Sequence, residues 1–467
     1  MDQQPTGRTA PGAQLSRRSV LAQGGVVAAG GAAAMVGAAA IGAAAYGEPL
    51  ARADEPAQTA YDVSAFGAVG DGETDDTGSI QRAIDAARAG GGVVFFPPGT
   101  YLTGRLTLYS RIHLRGSGGD ATILRLKPGA NSAILESDGF ADLTGTRTSG
   151  GITMFSVRDL TLDGNRGHNP SRGYGLRIYG YGYELTEVVV FNCHDDGVFS
   201  EWGLAGALPF PSHQMEARLS SIRSHDNDGH GFNFNGPHDS MFLNCVAFSN
   251  RVTGFRLDGD SSGTSLVSCR GWGVPQGLGF DLAAPGIGCV NCHADLGGGV
   301  GVRISRNDCR WVGGAVLGNN RPPPAQEIGI QFAPGLEPNE PAGVVVDTKI
   351  LNCGTAAVDF SGERGLSSVR AAISQPGVPG SQGTPIPGTG RGWVGTPHPT
   401  TQVEITDGIG DTPNNLVVRP AFDLRAQPAP ASQEAETVRL FAGESGGLTQ
   451  LCARFPDGTV RVLATDI

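Results

Sequence analysis

Two segments rich in histidine and aspartate lie close together in the chain and could support acid–base chemistry. CHDDG and DNDGHG together supply six such residues: His194, Asp195, Asp196, Asp226, Asp228 and His230. An imidazole and a carboxylate within hydrogen-bond distance of one substrate can move protons to and from it. Asp-Gly pairs at strand starts are also ordinary turn residues. We therefore interpret Asp195, Asp228 and His225 as structural first, and Asp196 and His230 as functional candidates.

An internal sequence repeat predicts that these two segments lie side by side in the fold. Short strands that begin with glycine recur 22 to 34 residues apart, at Gly175, Gly197, Gly231, Gly254, Gly279, Gly301 and Gly329. A unit of this length with two or three strands and tight turns is a solenoid coil. The longest interval holds the insertion EWGLAGALPFPSHQ, which we predict to be a loop beside the two segments.

Strand alternation assigns the faces of these coils. In GFNFNG, Phe232 and Phe234 point inward, and Asn233 points outward. Applied to each coil, this predicts an outward column of Arg177, Phe199, Asn233, Arg256, Asp281, Arg303 and Gln331. The residue before each glycine forms a second column, which reads Tyr174, Asp196, His230, Thr253 and Leu278. Asp196 and His230 are then one rung apart, with Tyr174 on the next rung.

Composition favours an all-β protein that turns often. The chain of 467 residues contains 73 Gly and 30 Pro, and 39% of it is hydrophobic. Glycine at this level does not suit long helices. The eight cysteines mostly end apolar strands, so we predict small buried residues there. The CVNC pair at 289–292 lacks a second pair at zinc-like spacing, and we predict no metal site.

The N-terminus resembles an export signal. Arg17 and Arg18 precede a long Ala/Gly/Val stretch, which ends at the small-x-small sequence Ala51-Arg52-Ala53. This pattern predicts a twin-arginine signal over residues 1–53 and a secreted protein, with an uncleaved membrane anchor as the alternative. The remainder has 30 basic and 43 acidic residues. That acidic balance argues against nucleic acid and, after cleavage, against anionic membranes as partners.

The segment VSAFGAVGDGETDDTGSIQRAIDAARAGGGVVFFPPGTYLTGRLTL, residues 63–108, resembles the opening of pectate-lyase-superfamily proteins, in particular the rhamnogalacturonase and epimerase-like branch. The resemblance implies a single-stranded right-handed parallel β-helix. Thr77 or Asp76 would cap a helix whose apolar stripe closes the open end of the coils. We predict the β-helix over residues 54–365, a Pro/Gly-rich linker over 366–400 and a small β-hairpin module over 401–467, through which chains could pair as a homo-oligomer.

Two enzyme patterns of this superfamily match in part. A polygalacturonase-like hydrolase has DD and GHG on neighbouring coils, as at Asp195-Asp196 and Gly229-His230-Gly231, but its NTD and RIK are here RGYG and RIS. NDGHGFNFNG resembles the coil of mannuronan C5-epimerases in which histidine precedes Gly-Phe-Asn, which carries over His230. Gly229 replaces an arginine of that family, and DGVFSEW lacks its tyrosine, aspartate and histidine.

We interpret the chain as an enzyme of the lyase or C5-epimerase type that acts on acidic, uronate-containing polysaccharide. His230 and Asp196 would form its centre, Tyr174 would be a base or acid, and Arg256 would neutralise the substrate carboxylate. The expected substrate-binding residues are Arg177, Asn233, Asp258, Arg303 and Asp195. No cofactor is indicated, and a requirement for Ca²⁺ stays open. The alternatives are the hydrolase and a non-catalytic glycan-binding or tail-fibre-like β-helix.

Overall fold

The computed structural model of the chain describes several ranges of it: residues 60–141, 151–203, 216–273, 277–295, 298–318, 327–374, 391–395, 397–398, 401–407, 439–445, 448–455, 457 and 459–465. The predicted signal lies outside these ranges, and so does most of the insertion that follows Glu201. Within them, no helix combines the length and the apolar character needed to cross a bilayer.

Three parallel sheets run the length of the molecule, and each coil contributes to them in turn. Sheet 1 is built from Ala60–Asp62, Gly92–Phe95, Ile112–Arg115, Ser156–Asp163, Glu184–Phe191, Arg218–Ser220, Met241–Leu243, Ser265–Val267, Gly288–Val290, Arg310–Leu317, Val345–Leu351, Ser368–Ser374 and Gln402–Asp407. Sheet 2 adds Asp71–Asp75, Gly99–Thr103, Thr122–Leu126, Arg223–His225, Val246–Phe248, Arg270–Trp272 and His293–Asp295, together with the second halves of the long strands of sheet 1.

Sheet 3 closes each coil and carries the glycine-led strands found in the sequence. Its strands are Leu106–Leu108, Ala133–Ser137, Tyr174–Tyr181, Val198–Glu201, Phe232–Asn235, Thr253–Leu257, Leu278–Leu282, Val300–Ile304, Ile328–Phe332, Ala356–Asp359 and Arg391–Val394, and Ile152–Thr153 pairs beside the third of them. A parallel strand needs a crossover to return to its sheet, and crossovers are right-handed. The described coils therefore form the predicted right-handed parallel β-helix.

The interior of the coils is filled by stacked side chains of like kind. Phe232, Phe255 and Phe280 lie on three successive rungs of sheet 3, with ring centroids 4.8 Å apart at both steps. All three are buried, as the alternation predicted. The eight cysteines are likewise buried. Cys245, as an example, donates its thiol hydrogen to the carbonyl of Leu219 on the preceding coil at 3.4 Å.

The α-helix Thr77–Arg88 packs against the first strands and buries Ile80 and Ile84. Asp76 occupies the N-cap position, but its carboxylate accepts from the amides of Val69 and Gly70 at 2.7 and 3.0 Å. Asp76 is therefore the N-cap residue, one of the two predicted, but its carboxylate binds the preceding loop and makes no hydrogen bond to the helix amides. The chain also forms 3₁₀ turns at Val63–Phe66 and Arg166–His168.

Sharp turns between sheets 1 and 2 use the left-handed backbone region. The turn residues Glu187, Ser221, Asn244, Ser268 and Asn291 stand at the same place in successive coils, with φ between 52° and 55°. Asparagine and small polar residues tolerate this region better than branched residues do. Each turn donates a backbone hydrogen bond to the next coil, such as Asn244 to Val267 at 2.9 Å.

Buried asparagines link the turns between sheets 2 and 3. The Asn227 side chain accepts from the Cys193 amide at 3.0 Å and donates to Oδ1 of Asn250 at 2.9 Å. Asn227→Ala leaves the Cys193 amide without its acceptor. We expect the variant to lose about 2 kcal/mol of unfolding free energy, since an unsatisfied buried donor costs about 1–3 kcal/mol. Urea denaturation measures the loss, and a change below about 0.5 kcal/mol would contradict the prediction.

The β-helix continues beyond the predicted boundary at residue 365. Ser368–Ser374 pairs with Val345–Leu351, Arg391–Val394 pairs with Ala356–Asp359, and both pairings are parallel. Strands therefore occupy parts of the range predicted as a linker over 366–400. Glycine and proline are common in the turns of every coil, so composition alone did not separate a turn from a linker. Residues 375–390 lie outside the described ranges.

A small antiparallel sheet follows near the C-terminus. Arg439–Ser445 pairs with Leu448–Arg454, which pairs in turn with Val460–Thr465. This sheet lies within the range predicted as a small β-hairpin module, and its two pairings are antiparallel. Gln402–Asp407, which we had placed in this module, instead pairs in parallel with Ser368–Ser374 in sheet 1.

Candidate active site on the third sheet

The outward column of sheet 3 has the register that the sequence predicted. Arg177 pairs with Phe199, Phe199 with Asn233, and Asn233 with Arg256. The column continues through Asp281, Arg303 and Gln331. Neighbouring parallel strands are about 4.8 Å apart, so these side chains form one continuous row on the surface.

The second column lies at the edge where the strands of sheet 3 begin. The amides of Gly175, Gly197 and Gly231 donate to the carbonyls of Asp196, His230 and Thr253 at 3.3, 2.9 and 2.9 Å. Tyr174, Asp196 and His230 therefore occupy successive rungs. Asp196 and His230, predicted as the centre of the site, are thus neighbours, and Tyr174, predicted as a base or acid, lies on the rung before Asp196.

Asp196 is held by groups of the protein. Its Oδ1 accepts from the backbone amide of His230 at 2.7 Å, and its Oδ2 accepts from the side-chain amide of Asn233 at 2.9 Å. Only 7% of the residue is exposed. Both oxygens thus bind the next coil, and Asp196 fixes the position of His230 and Asn233.

Gly229 makes this contact between coils possible. A Cβ at position 229 would lie 2.3 Å from Oδ1 of Asp196 and 2.7 Å from the carbonyl carbon of Asp195. These separations are far below van der Waals contact. A side chain at residue 229 and the Asp196 carboxylate would therefore compete for the same space, which accounts physically for glycine where the mannuronan C5-epimerase pattern has arginine.

His230 is half-buried beside this carboxylate. Burial lowers the pKa of its imidazole below the ordinary histidine value, with Asp196 acting in the opposite direction and Arg256 adding to the decrease. Its Nδ1 is buried and has no hydrogen-bond partner among the described residues. Both features favour a neutral ring near pH 7, which can accept a proton.

Tyr174 lies in an aromatic setting one rung before Asp196. Its ring contacts Phe199 edge to face, with centroids 6.1 Å apart, and the guanidinium of Arg177 lies 5.5 Å from its centre. Burial raises the pKa of the Tyr174 phenol, and the charges of Asp195 and Asp196 raise it further. The phenol therefore keeps its proton at neutral pH and can act as an acid.

The arginines of the outward column each have a carboxylate partner. Arg177 lies 3.1 Å from Glu136, Arg256 2.5 Å from Asp258, and Arg303 2.5 Å from Asp281. We predicted Arg256 as the partner of a substrate carboxylate. Its Nε is buried and unpaired within the described ranges, so part of the guanidinium still lacks a hydrogen bond.

The residues interpreted as structural have contacts that suit that role. Asp195 accepts from the Gly173 amide at 2.9 Å, and Asp228 lies 2.8 Å from Arg166. His225 lies on sheet 2, away from the column of His230, and its Nδ1 is 2.7 Å from Asp226. Of the first segments considered, the structure thus places only Asp196 and His230 together on the edge of sheet 3.

Sequence reasoning missed Glu136 and Arg172. Glu136 pairs in register with Arg177 and belongs to the coil before the first one aligned in the sequence. The alternation of the segment AILES at 133–137 would have predicted an outward Glu136. Arg172 is exposed, and its charge lowers the pKa of Tyr174 against the larger effect of burial. Arg172 lies in a turn, outside the alternating strand pattern that was used to align the coils.

No set of three or more His, Cys, Asp or Glu side chains in the described ranges is arranged to hold a metal ion. The cysteines of the CVNC segment, Cys289 and Cys292, are buried in the interior. Tyr174, Asp196 and His230 thus lie at the edge of the polar outward column of sheet 3.

The β-helix is similar in sequence to a known family and to several characterised proteins. Residues 60–279 match the family described as rhamnogalacturonase A/epimerase, pectate lyase-like. Mannuronan C5-epimerase AlgE4 of Azotobacter vinelandii is 35% identical over 211 residues, which are 42% of this chain and 36% of that protein. Alginate lyase 7 of the same organism is 31% identical over 217 residues, 42% of this chain and 23% of that protein.

Solved structures agree on the fold. The A-module of the A. vinelandii AlgE4 epimerase superposes with a TM-score of 0.50 at 20% identity, covering 74% of this chain and 96% of the module. The Dettilon tailspike protein gives 0.52 at 12% identity, covering 87% and 79%. At these identities the structures show the parallel β-helix alone. The chain matches well under two thirds of the length of the curated relatives.

Proposed function

We propose that this chain, a pectate-lyase-like parallel β-helix protein, acts on an acidic, uronate-containing polysaccharide by removing the proton at C5 of a uronate unit. Epimerisation or β-elimination would follow. The observation that carries the proposal is the pair His230 and Tyr174, whose pKa values are displaced in opposite directions on one edge of sheet 3. Sequence similarity to C5-epimerases and to an alginate lyase supports the same reaction type.

His230 would accept the C5 proton as a neutral imidazole. The electron pair of the C–H bond then moves toward the substrate carboxylate. Asp196 holds the His230 amide, so the ring keeps one position relative to the sugar. Such a positioned base typically contributes about 10²–10⁴-fold to rate.

Tyr174 would donate the second proton. In epimerisation this proton returns to C5 from the opposite face of the sugar. In β-elimination it goes to the leaving O4 while the C4–O4 bond breaks and a C4–C5 double bond forms. Groups whose pKa values are pushed apart are the expected acid and base of such a pair.

Arg256 would stabilise the charge that develops on the substrate carboxylate. Its Nε is buried, makes no hydrogen bond within the described ranges, and is not used in the contact with Asp258. A preorganised donor at developing charge is among the largest contributions to catalysis. Ca²⁺ stays an open alternative for this role, and the assay below is run with and without it.

Hydrolysis is less well supported. A glycosidase of this type needs two carboxyl groups facing one sugar. Here Asp195 accepts from the Gly173 amide, and Asp196 accepts from His230 and Asn233. Both carboxylates thus have structural hydrogen bonds.

Binding without chemistry is a second candidate. The specific observation in its favour is that the outward arginines already have acidic partners, which reduces the charge available to a substrate. A ladder of polar groups along a solenoid can bind glycans over its length.

One assay separates these functions. Residues 54–467 are incubated, with and without Ca²⁺, with polymannuronate, polyguluronate and polygalacturonate. Three signals are followed: ultraviolet absorbance of the double bond, reducing ends and exchange of the C5 proton. Absorbance with reducing ends identifies a lyase, and C5 exchange alone identifies an epimerase. Reducing ends alone would refute proton abstraction, and binding with no signal would leave the binding function.

The pH dependence of kcat/KM should be a broad plateau. Because the pKa of His230 is lowered, activity should rise with pH at values below about 6.5 and be complete near pH 7. Because the pKa of Tyr174 is raised, the alkaline decrease should begin only above about pH 10. An acid-side midpoint at or above pH 7 would contradict a neutral His230 as base.

We also propose that the chain is exported by the twin-arginine route. Arg17, Arg18 and the Ala51-Arg52-Ala53 sequence support this. Replacing both arginines by lysine should retain the protein in the cytoplasm, and cell fractionation would measure it.

A further inference from the structure

The outer face of sheet 2 carries basic residues in register along the axis of the β-helix. Paired strands define a single column, the basic column, which reads Arg223, Val246, Arg270, His293, Ala315 and Lys349. Arg223, Arg270 and Lys349 are exposed. Lysine is rare in this acidic chain, so a row of cations on one face is a distinct feature.

These three cations differ from the arginines of sheet 3. Among the described residues, no carboxylate lies within ion-pair distance, 4.0 Å, of Arg223, Arg270 or Lys349. On sheet 3, by contrast, the outward Arg256 and Arg303 each contact an aspartate. The exposed cations of the basic column therefore lack the ion pairs that the outward arginines of sheet 3 make.

A second column on the same face is aromatic. This aromatic column consists of Phe191, His225, Phe248 and Trp272, all half-buried and two residues along the strand from the basic column. Successive rings stack at centroid distances of 5.4, 4.4 and 4.8 Å. A row of partly exposed rings beside cations is a surface on which a partner can bind.

Aspartates also belong to this face. Asp163, which precedes Phe191 in the same row, is ion-paired with Arg125 at 2.8 Å. Asp226 is bound by Nδ1 of His225 at 2.7 Å. Asp295 follows Trp272 in the aromatic column, and burial raises its pKa against the opposing charges of His293 and Arg270. Asp226 is thus hydrogen-bonded within the protein and Asp295 lies near His293 and Arg270, while the exposed cations of the basic column have no ion-pair partner among the described residues.

We propose that the basic and aromatic columns of sheet 2 form a second binding surface for an anionic polysaccharide that lies along the helix axis, separate from the candidate active site. Arg223 and Arg270 are two rungs apart, about 10 Å. They would therefore contact different carboxylates of one polymer, while sugar rings cover the aromatic column. The ligand class rests on the proposed function, but the surface itself requires no catalysis.

Binding of polymannuronate measured by calorimetry at low salt tests the surface. The protein carries His230→Gln in every sample, so turnover does not interfere. Adding Arg223→Ala and Arg270→Ala should raise Kd about tenfold and flatten its dependence on salt, since two partly solvated contacts are lost. The control removes two arginines from sheet 1, Arg310→Ala with Arg370→Ala, and should change Kd less than twofold.

Equal weakening by the two double variants would overturn the proposal, because net charge alone would then explain binding. Tighter binding of duplex DNA than of polymannuronate at the same salt would also overturn it. In the active chain, Arg223→Ala with Arg270→Ala should raise KM on polymer and leave kcat unchanged. A chain that binds through these arginines yet shows no turnover would refute the proposed function and leave this surface intact.

Discussion

His230→Gln is expected to reduce kcat/KM on the processed polyuronate by about 10²–10⁴-fold, the usual contribution of a positioned acid–base group. Glutamine keeps the approximate size and polarity of the ring but cannot accept a proton near pH 7. The half-buried ring makes no side-chain hydrogen bond through Nδ1 within the described ranges, so its replacement removes chemistry more than structure. Initial rates of C5 proton exchange or of double-bond absorbance measure the effect.

His168→Gln provides the matched control. His168 is exposed in the 3₁₀ turn Arg166–His168, and its Nδ1 contacts Asn165 at 2.9 Å. The same substitution there should leave kcat/KM within about twofold, in line with the small effects of surface changes. If both variants keep full activity while their circular dichroism spectra match the parent, His230 is not the base.

The alternation of strands and the spacing of glycines were enough to predict which residues share a row. Side chains alternate with a period of two, and each coil returns to the same sheet, so fixing one glycine fixes the register of the strand after it. This is why Asn233 and Arg256 could be aligned from sequence and are paired in the structure.

The partners of those side chains could not be predicted in the same way. Arg256 contacts Asp258 within its own strand, whereas Arg303 contacts Asp281 on the preceding rung. The alignment of the coils allows an arginine to reach an aspartate on its own strand or on the preceding rung. Which of the two it contacts depends on side-chain rotamers and burial. Alternation therefore predicted the positions of the arginines but not their ion-pair partners.

The same limit applies to Asp196. Sequence placed it beside His230, and the structure adds that its two oxygens bind the His230 amide and the Asn233 side chain. A carboxylate occupied in this way orients the site and is less free to exchange protons with a substrate. The periodicity of the sequence predicted the position of Asp196, whereas its hydrogen bonds in the structure indicate its chemical role.

Gly229→Ala should lower the unfolding free energy by about 3 kcal/mol, the upper part of the range for overpacking. The new Cβ would approach Oδ1 of Asp196 to 2.3 Å and the backbone nitrogen of the same residue to 2.8 Å. A side chain could turn away, but the backbone of a packed coil cannot move alone. Because Asp196 also holds the His230 amide, activity should fall together with stability.

Gly90→Ala distinguishes this clash from a general cost of replacing glycine. A Cβ at Gly90 would meet no atom within 4 Å, so its effect should stay below about 0.5 kcal/mol. Urea denaturation compares the two variants with the parent. Equal stability of Gly229→Ala and Gly90→Ala would mean that the coils around Asp196 are looser than the contacts indicate. A large difference would instead support a direct steric link between residues 196 and 229. A related chain with arginine at the position of Gly229 would then need a smaller residue, or a different rotamer, at the position of Asp196.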